Sequence, residues 1–194
     1  MVNVPPDHFL YFAYGSNLLK KRIHINNPSA EFIGIGRLDH YQVNFIKYGP
    51  RWKGCSATIV PTDNRCLCKT CKCVWGTVWM LHNNDMPALD EQEGVSTNWY
   101  FPKTVKIETE EGKILECRTY QQSVNPPATC DHTSIPPDRR PSETYLKCIV
   151  LGAIECKLPK EYIQLLKLIP HNGEISHEME NALFSKDNIN DILL

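Results

Sequence analysis

The sequence predicts an α+β fold: a small mixed β-barrel or strongly bent sheet with flanking helices. Three observations carry this. Short aromatic and β-branched segments follow one another in quick succession. Only a few stretches between or after them carry helix punctuation. The 194 residues suffice for one domain, 1–194, with a real core. Many short strands with few helices favour a bent sheet or barrel.

In chain order, the strand candidates are Phe9–Tyr14, Phe32–Leu38, Tyr41–Ile46, Ser56–Pro61, Cys73–Leu81, Phe101–Thr109, Ile114–Gln121 and Lys147–Ile154. Most are bounded by Gly, Pro, Asn or Asp, which end strands. Glu110-Glu111-Gly112-Lys113 reads as a hairpin loop. A first helix is expected from Leu18 to Ile25. A second runs from Asp85 to Gln92, with Asn84 or Asp85 as N-cap and Pro87 in its first turn. A third starts near Pro159 and ends before Pro170 and Gly173; a fourth follows Ser176. Residues 123–142 hold Pro126, Pro127, Pro136, Pro137 and Pro141 and show no periodicity. They are expected to be a long loop, either a lid or a surface excursion.

Composition excludes several classes. The formal net charge of −1 draws the chain neither to nucleic acid nor to an anionic membrane. No apolar run approaches the roughly 20 residues of a membrane span. Met1–Asp7 has no basic region and no apolar stretch, so no signal peptide is expected. The nine cysteines are therefore expected to be mostly reduced, in the cytoplasm. The seven histidines are scattered, with none paired at metal-ligand spacing. There is no Walker loop, dinucleotide fingerprint or Ser-His-Asp set.

Two segments carry chemistry. Phe9 to Leu18 reads as an apolar strand running into Gly15-Ser16-Asn17 and then a helix start. Such a loop leaves backbone N–H groups free to hold an anion, for example a carboxylate; an ordinary turn is the alternative. In the second, Asp90, Glu91 and Glu93 crowd the end of the short helix, with Gly94 as its C′ residue. Acids at the negative end of a helix, beside like charges, have raised pKa values, which suits a general base near neutral pH. A solvated acidic corner is the alternative.

Tyr14-Gly15-Ser16-Asn17-Leu18 together with Asp90-Glu91-Gln92-Glu93-Gly94-Val95 closely resembles the gamma-glutamylcyclotransferases. Asn27-Pro28-Ser29-Ala30, Ala57-Thr58-Ile59, Val74–Trp79, Tyr145 and Gly152-Ala153 follow in that family's order. The resemblance covers about residues 9 to 175. It implies a barrel fold with the active site at one end, and Glu93 as proton acceptor and donor. It implies substrate binding by Tyr11, Phe12, Ala13, Tyr14, Gly15, Ser16 and Tyr145, with Asn17, Tyr100 and Tyr120 as further pocket residues. It also implies a small γ-glutamyl substrate, a homodimer, no metal and no cofactor. Trp99, next to Tyr100, is a further candidate for lining the pocket.

The implied reaction closes a γ-glutamyl amide on itself. The substrate's α-amino nitrogen attacks its own γ-carbonyl, giving 5-oxoproline and a free amino acid. The nucleophile is already tethered, so the protein has to fold the substrate and manage protons. Alternatives are a relative acting on γ-glutamylamines such as γ-glutamyl-lysine, one acting on glutathione, or a non-catalytic binding protein on the same scaffold. The sequence departs from the family pattern in its Cys-rich insert, 64–73, and its long Pro-rich loop, 123–142. If Lys69-Thr70 is a hairpin turn, Cys66, Cys68, Cys71 and Cys73 share one face. They could bind zinc, cycle between thiol and disulfide, or do nothing. An interaction module centred on this insert would leave the rest of the chain unexplained.

Overall fold

The computed structural model describes residues 2–62, 72–127 and 134–184. Strands β1 (His8–Ala13), β2 (Glu31–Asp39), β5 (Cys73–His82), β6 (Tyr100–Thr109) and β7 (Ile114–Gln122) close a barrel in the order β1-β5-β2-β6-β7. All neighbours are antiparallel except β7 and β1, which meet in parallel where Tyr11 faces Arg118. The register of β2 against β5 shifts between Phe32 and Gly34, an irregularity of the kind that lets a sheet bend far enough to close. β3 (Tyr41–Gly49) and β4 (Gly54–Pro61) form a separate hairpin. The Gln122 amide fastens it to the barrel, donating to Ser56 O and Oγ at 2.9 Å each.

Among the described residues, five α-helices flank the sheets: α1 (Lys20–Asn26), α2 (Met86–Gln92), α3 (Glu143–Glu155), α4 (Lys160–Lys167) and α5 (His177–Phe184). One connected core includes Phe12, Phe45, Val78, Trp79, Leu81, Ile107 and Ile149, all fully or almost fully buried. Among the described residues, no helix is long and apolar enough to cross a membrane.

Most expected elements are present within a residue or two. The clear error is Lys147–Ile154, expected as a strand and found inside α3. Its apolar, partly β-branched composition hides a helical spacing: Tyr145, Cys148, Ile149 and Gly152 are all buried. Ser142 caps the helix by accepting the N–H of Tyr145 at 3.1 Å. At Gly152 a Cβ would lie 2.4 Å from Leu19 N and 2.6 Å from Leu18 C, so only glycine lets α3 sit against the turn after β1.

Two smaller expectations shift. The first helix begins as a 3-10 turn, Ser16–Leu18, before α1. Asp85 occupies the N-cap position of α2 as expected, but its side chain makes no capping bond; its carboxylate accepts Ser29 Oγ at 2.6 Å, a tertiary bond that the local sequence does not reveal. The described residues of the long loop are held by contacts: Asn125 accepts Thr58 Oγ1 at 2.6 Å, Ile135 is buried, and Pro137–Arg139 forms a 3-10 turn. Cys66, Cys68 and Cys71 lie outside the described residues; Cys73 opens β5 opposite Asp39.

Candidate active site

The elements converge at the end of β1. Tyr11 lies on that strand and Tyr14 just past it, and Gly15, Ser16 and Asn17 come from the following turn. β4 supplies Ala57, β6 Tyr100, β7 Tyr120, and the first turn of α3 Tyr145. Glu93 follows α2 directly, and Gly94 takes the left-handed conformation (φ 62°) expected of a C′ residue. Together these ten residues line an inner cavity of about 40 Å³. An outer cleft of about 340 Å³ shares Ser16, Glu93, Tyr100 and Tyr145 with it and adds Arg22, Trp52, Gln92 and Trp99.

A chain of amides holds Glu93. Its Oε1 accepts Gln92 Nε2 at 3.3 Å and, more loosely, Asn17 Nδ2 at 3.5 Å. Asn17 also donates to Tyr11 OH (3.1 Å) and accepts from Gln92 Nε2 (3.2 Å). Trp79 Nε1 pins the Asn17 carbonyl at 3.0 Å. Burial pushes the Glu93 carboxyl up to about 7, against the opposing pull of the Arg22 charge and the Gln92 bond. The direction is the one expected from the sequence, but the leading cause differs. Loss of water comes first and Asp90 last. Asp90 is turned to Arg118 Nη2 (2.6 Å) and the Tyr120 hydroxyl, and Glu91 is exposed.

Burial raises the pKa of all five pocket tyrosines, so each is a neutral O–H at physiological pH. Three have committed that proton. Tyr14 donates to the Tyr120 carbonyl, Tyr100 to the Ala57 carbonyl at 2.6 Å, and Tyr120 to Asp90. Tyr145 OH instead accepts the Ala57 N–H at 3.1 Å, and Tyr11 OH accepts from Asn17. Among the described residues, neither of these two hydroxyls donates to a protein acceptor. The turn adds more donors. Leu18 N and Leu19 N bond back to Gly15 O and Ser16 O, whereas the N–H groups of Gly15, Ser16 and Asn17 have no acceptor among the described residues. This is a ready anion cradle.

Of the residues expected at the site, Tyr11, Tyr14, Gly15, Ser16, Asn17, Glu93, Tyr100, Tyr120 and Tyr145 line the inner cavity. Phe12 and Ala13 do not; both are buried in the core, and the Phe12 carbonyl accepts Thr119 Oγ1 at 2.9 Å. Trp99 lies in the outer cleft rather than the inner cavity. No described residue of 123–142 lines either space. Sequence reasoning missed Arg22, Trp52 and the supporting role of Gln92. Trp52 packs edge-on against Tyr145 at 4.8 Å. A local signal existed only for Gln92, which adjoins Glu93; Arg22 and Trp52 reach the cleft through tertiary packing.

Residues 73–166, which carry both Glu93 and Tyr145, match the model of the AIG2-like family. The chain is 41% identical over 184 residues to a mouse gamma-glutamylcyclotransferase, covering 90% of this chain and 87% of that one. It is 40% identical over 186 residues to the human gamma-glutamylcyclotransferase, covering 91% and 88%. A solved structure described as a gamma-glutamyl cyclotransferase superposes with a TM-score of 0.77 at 38% identity, covering 91% of this chain and 98% of that one. The chain belongs to the gamma-glutamylcyclotransferase family.

Proposed function

We propose that the chain converts γ-glutamyl amino acids to 5-oxoproline and a free amino acid, within γ-glutamyl peptide and glutathione metabolism. One observation carries the reading: a buried carboxyl that titrates near neutrality, Glu93, stands beside unpaired N–H donors in a small tyrosine-lined cavity. The N–H groups of Gly15, Ser16 and Asn17 hold the substrate's α-carboxylate. Glu93 takes a proton from the α-ammonium. The freed nitrogen then attacks the γ-carbonyl, and the new C–N bond closes the five-membered ring. The ring nitrogen gives up its second proton as this bond forms, the amide C–N bond breaks, and the departing nitrogen takes up both protons, one of them from Glu93, to leave as an ammonium. Tyr11 and Tyr145, whose O–H protons are uncommitted, stabilise the carbonyl oxygen as it gains charge. The substrate carries its own nucleophile, so positioning does much of the work.

The test is release of 5-oxoproline from a panel of γ-glutamyl dipeptides, γ-glutamyl-lysine and glutathione. Dipeptides should be preferred. Preference for glutathione or for the isopeptide would move the chain to another specificity, and no turnover of any would make it a binding protein. The reading includes a homodimer, tested by light scattering, and a cytoplasmic location. The thiols of Cys55, Cys117, Cys148 and Cys156 support a reducing compartment. All four are free and buried, as a reducing compartment allows.

A further inference from the structure

Arg22 is the unexplained charge of the outer cleft. It projects from α1, is only 6% exposed, and lines the cleft beside Glu93 and Gln92. Its Nη1 donates to Gln92 Oε1 at 3.3 Å, and its Nε is buried with no partner. Among the described residues, no carboxylate lies within ion-pair distance of it. By contrast Arg37, Arg51 and Arg118 each pair with a carboxylate at 2.6–2.8 Å. A guanidinium offers five N–H donors, and one neutral amide bond is poor return for burying its charge.

The proposed reaction sharpens the problem. Glu93 is the nearby anion that Arg22 favours. When Glu93 takes the substrate's proton it becomes neutral, and Arg22 is left facing no negative charge. A second carboxylate, entering with the substrate, would restore the balance. The cavities supply the route. In the proposed reaction the inner cavity takes the reacting end; the outer cleft shares Ser16, Glu93, Tyr100 and Tyr145 with it, and Arg22 lines only the outer cleft. In the proposed reaction the group leaving the γ-carbonyl would project into that cleft, which Trp52 and Trp99 also line.

We propose that Arg22 binds the α-carboxylate of the leaving amino acid, so that the outer cleft is a second carboxylate subsite that selects γ-glutamyl amino acids over γ-glutamyl amides and amines. The inference rests on the cyclotransferase reading. A free α-carboxylate next to the scissile nitrogen meets the guanidinium, and a neutral group in its place leaves the cation unpaired.

The experiment compares γ-glutamyl-alanine with γ-glutamyl-alaninamide, which differ only in that charge. The wild-type protein should favour the acid by about 10- to 100-fold in kcat/KM, the usual range for a charge-assisted bond. Arg22→Met should collapse the ratio toward one, mainly through KM for the acid. Arg22→Lys, a charge without the planar fork, should retain an intermediate ratio. A wild-type ratio near one, or an unchanged ratio in Arg22→Met, would overturn the proposal. An equal loss on both substrates, with the acidic limb of the pH profile moved upward, would mean that Arg22 acts through Glu93, and would also overturn it. If Arg22→Met does not fold, the wild-type and Arg22→Lys ratios decide. Failure of wild type to release 5-oxoproline from either compound would instead sink the reading on which the inference rests.

Discussion

In the proposed reaction Glu93 must be ionised to take a proton and must hold that proton long enough to return it. A carboxyl at about 7 does both near neutral pH. kcat/KM should therefore rise with pH through about 7, as the free enzyme's Glu93 ionises. Glu93→Gln keeps the shape and the neighbouring amides but cannot accept the proton. Its activity should fall by about 10²–10⁴-fold, measured as 5-oxoproline release. The same burial has a cost in stability. The folded state favours the protonated form, so this contribution is fully present below the ordinary value near 4.5 and is lost as pH rises through about 7. Relative to wild type, Glu93→Gln should gain about 2–3 kcal/mol of unfolding free energy between pH 4.5 and pH 8. Denaturant titrations at the two pH values check this; a constant difference would mean that the carboxyl is not desolvated. Gly15 is a packing requirement rather than a conformational one. Its φ is −110°, but a Cβ would lie 3.3 Å from Tyr145 OH and 3.6 Å from Ala57 Cβ. Gly15→Val should displace Tyr145, raise KM and destabilise the fold by about 1–3 kcal/mol. An unchanged KM in steady-state kinetics would show that the turn does not hold substrate.

Among the elements, α3 couples fold to site. Its first turn carries Tyr145, its middle packs on the turn after β1, and Ser142 starts it. Ser142→Ala removes the acceptor of the Tyr145 N–H and should cost about 1 kcal/mol. Because that bond fixes the backbone of Tyr145 itself, kcat/KM should fall several-fold as well. A stability loss with unchanged kinetics would separate the cap from the site. α3 is also where reading the sequence as a strand fails. Lys147–Ile154 contains Ile149, Val150 and Ile154, residues that suit strands. The cap at Ser142 and burial along one helical face overrode that local preference. α2 was legible at both ends because Asp85, Pro87 and Gly94 punctuate it, but not the partner of Asp85, whose carboxylate is spent on Ser29 across 56 residues.

At the scale of the molecule, closure of the barrel brings β1 beside β7, and so places Tyr11 and Tyr120 in edge contact at 6.0 Å. The β3–β4 hairpin, held by Gln122, brings Ala57 to the same point. The Cys-rich insert joins β4 to β5, and Cys73, its described end, does not line the inner cavity or the outer cleft. Replacing Cys66, Cys68, Cys71 and Cys73 with serine should leave kcat/KM within about threefold, as for sites that share no partners. A much larger loss with the fold intact, checked by circular dichroism, would place the insert in the pocket.

Short-range chemistry was readable from the residues alone. Aromatic and β-branched composition and bounding turn residues mark the seven strands, Gly94 marks the end of α2, and the small residues at 15–17 mark a loop with spare N–H groups. These depend on neighbours in the chain, so a linear sequence contains them. What depends on burial or on distant partners had to wait for the packed molecule. Glu93 is shifted chiefly because its surroundings exclude water, and not because acidic residues flank it. The ordered proton commitments of Tyr14, Tyr100 and Tyr120 leave Tyr11 and Tyr145 free to donate. Arg22 looks in sequence like one more basic residue after Lys20 and Lys21. Only the tertiary structure buries it in a cleft where, among the described residues, no carboxylate lies at ion-pair distance, because desolvation and charge pairing are properties of three-dimensional neighbours.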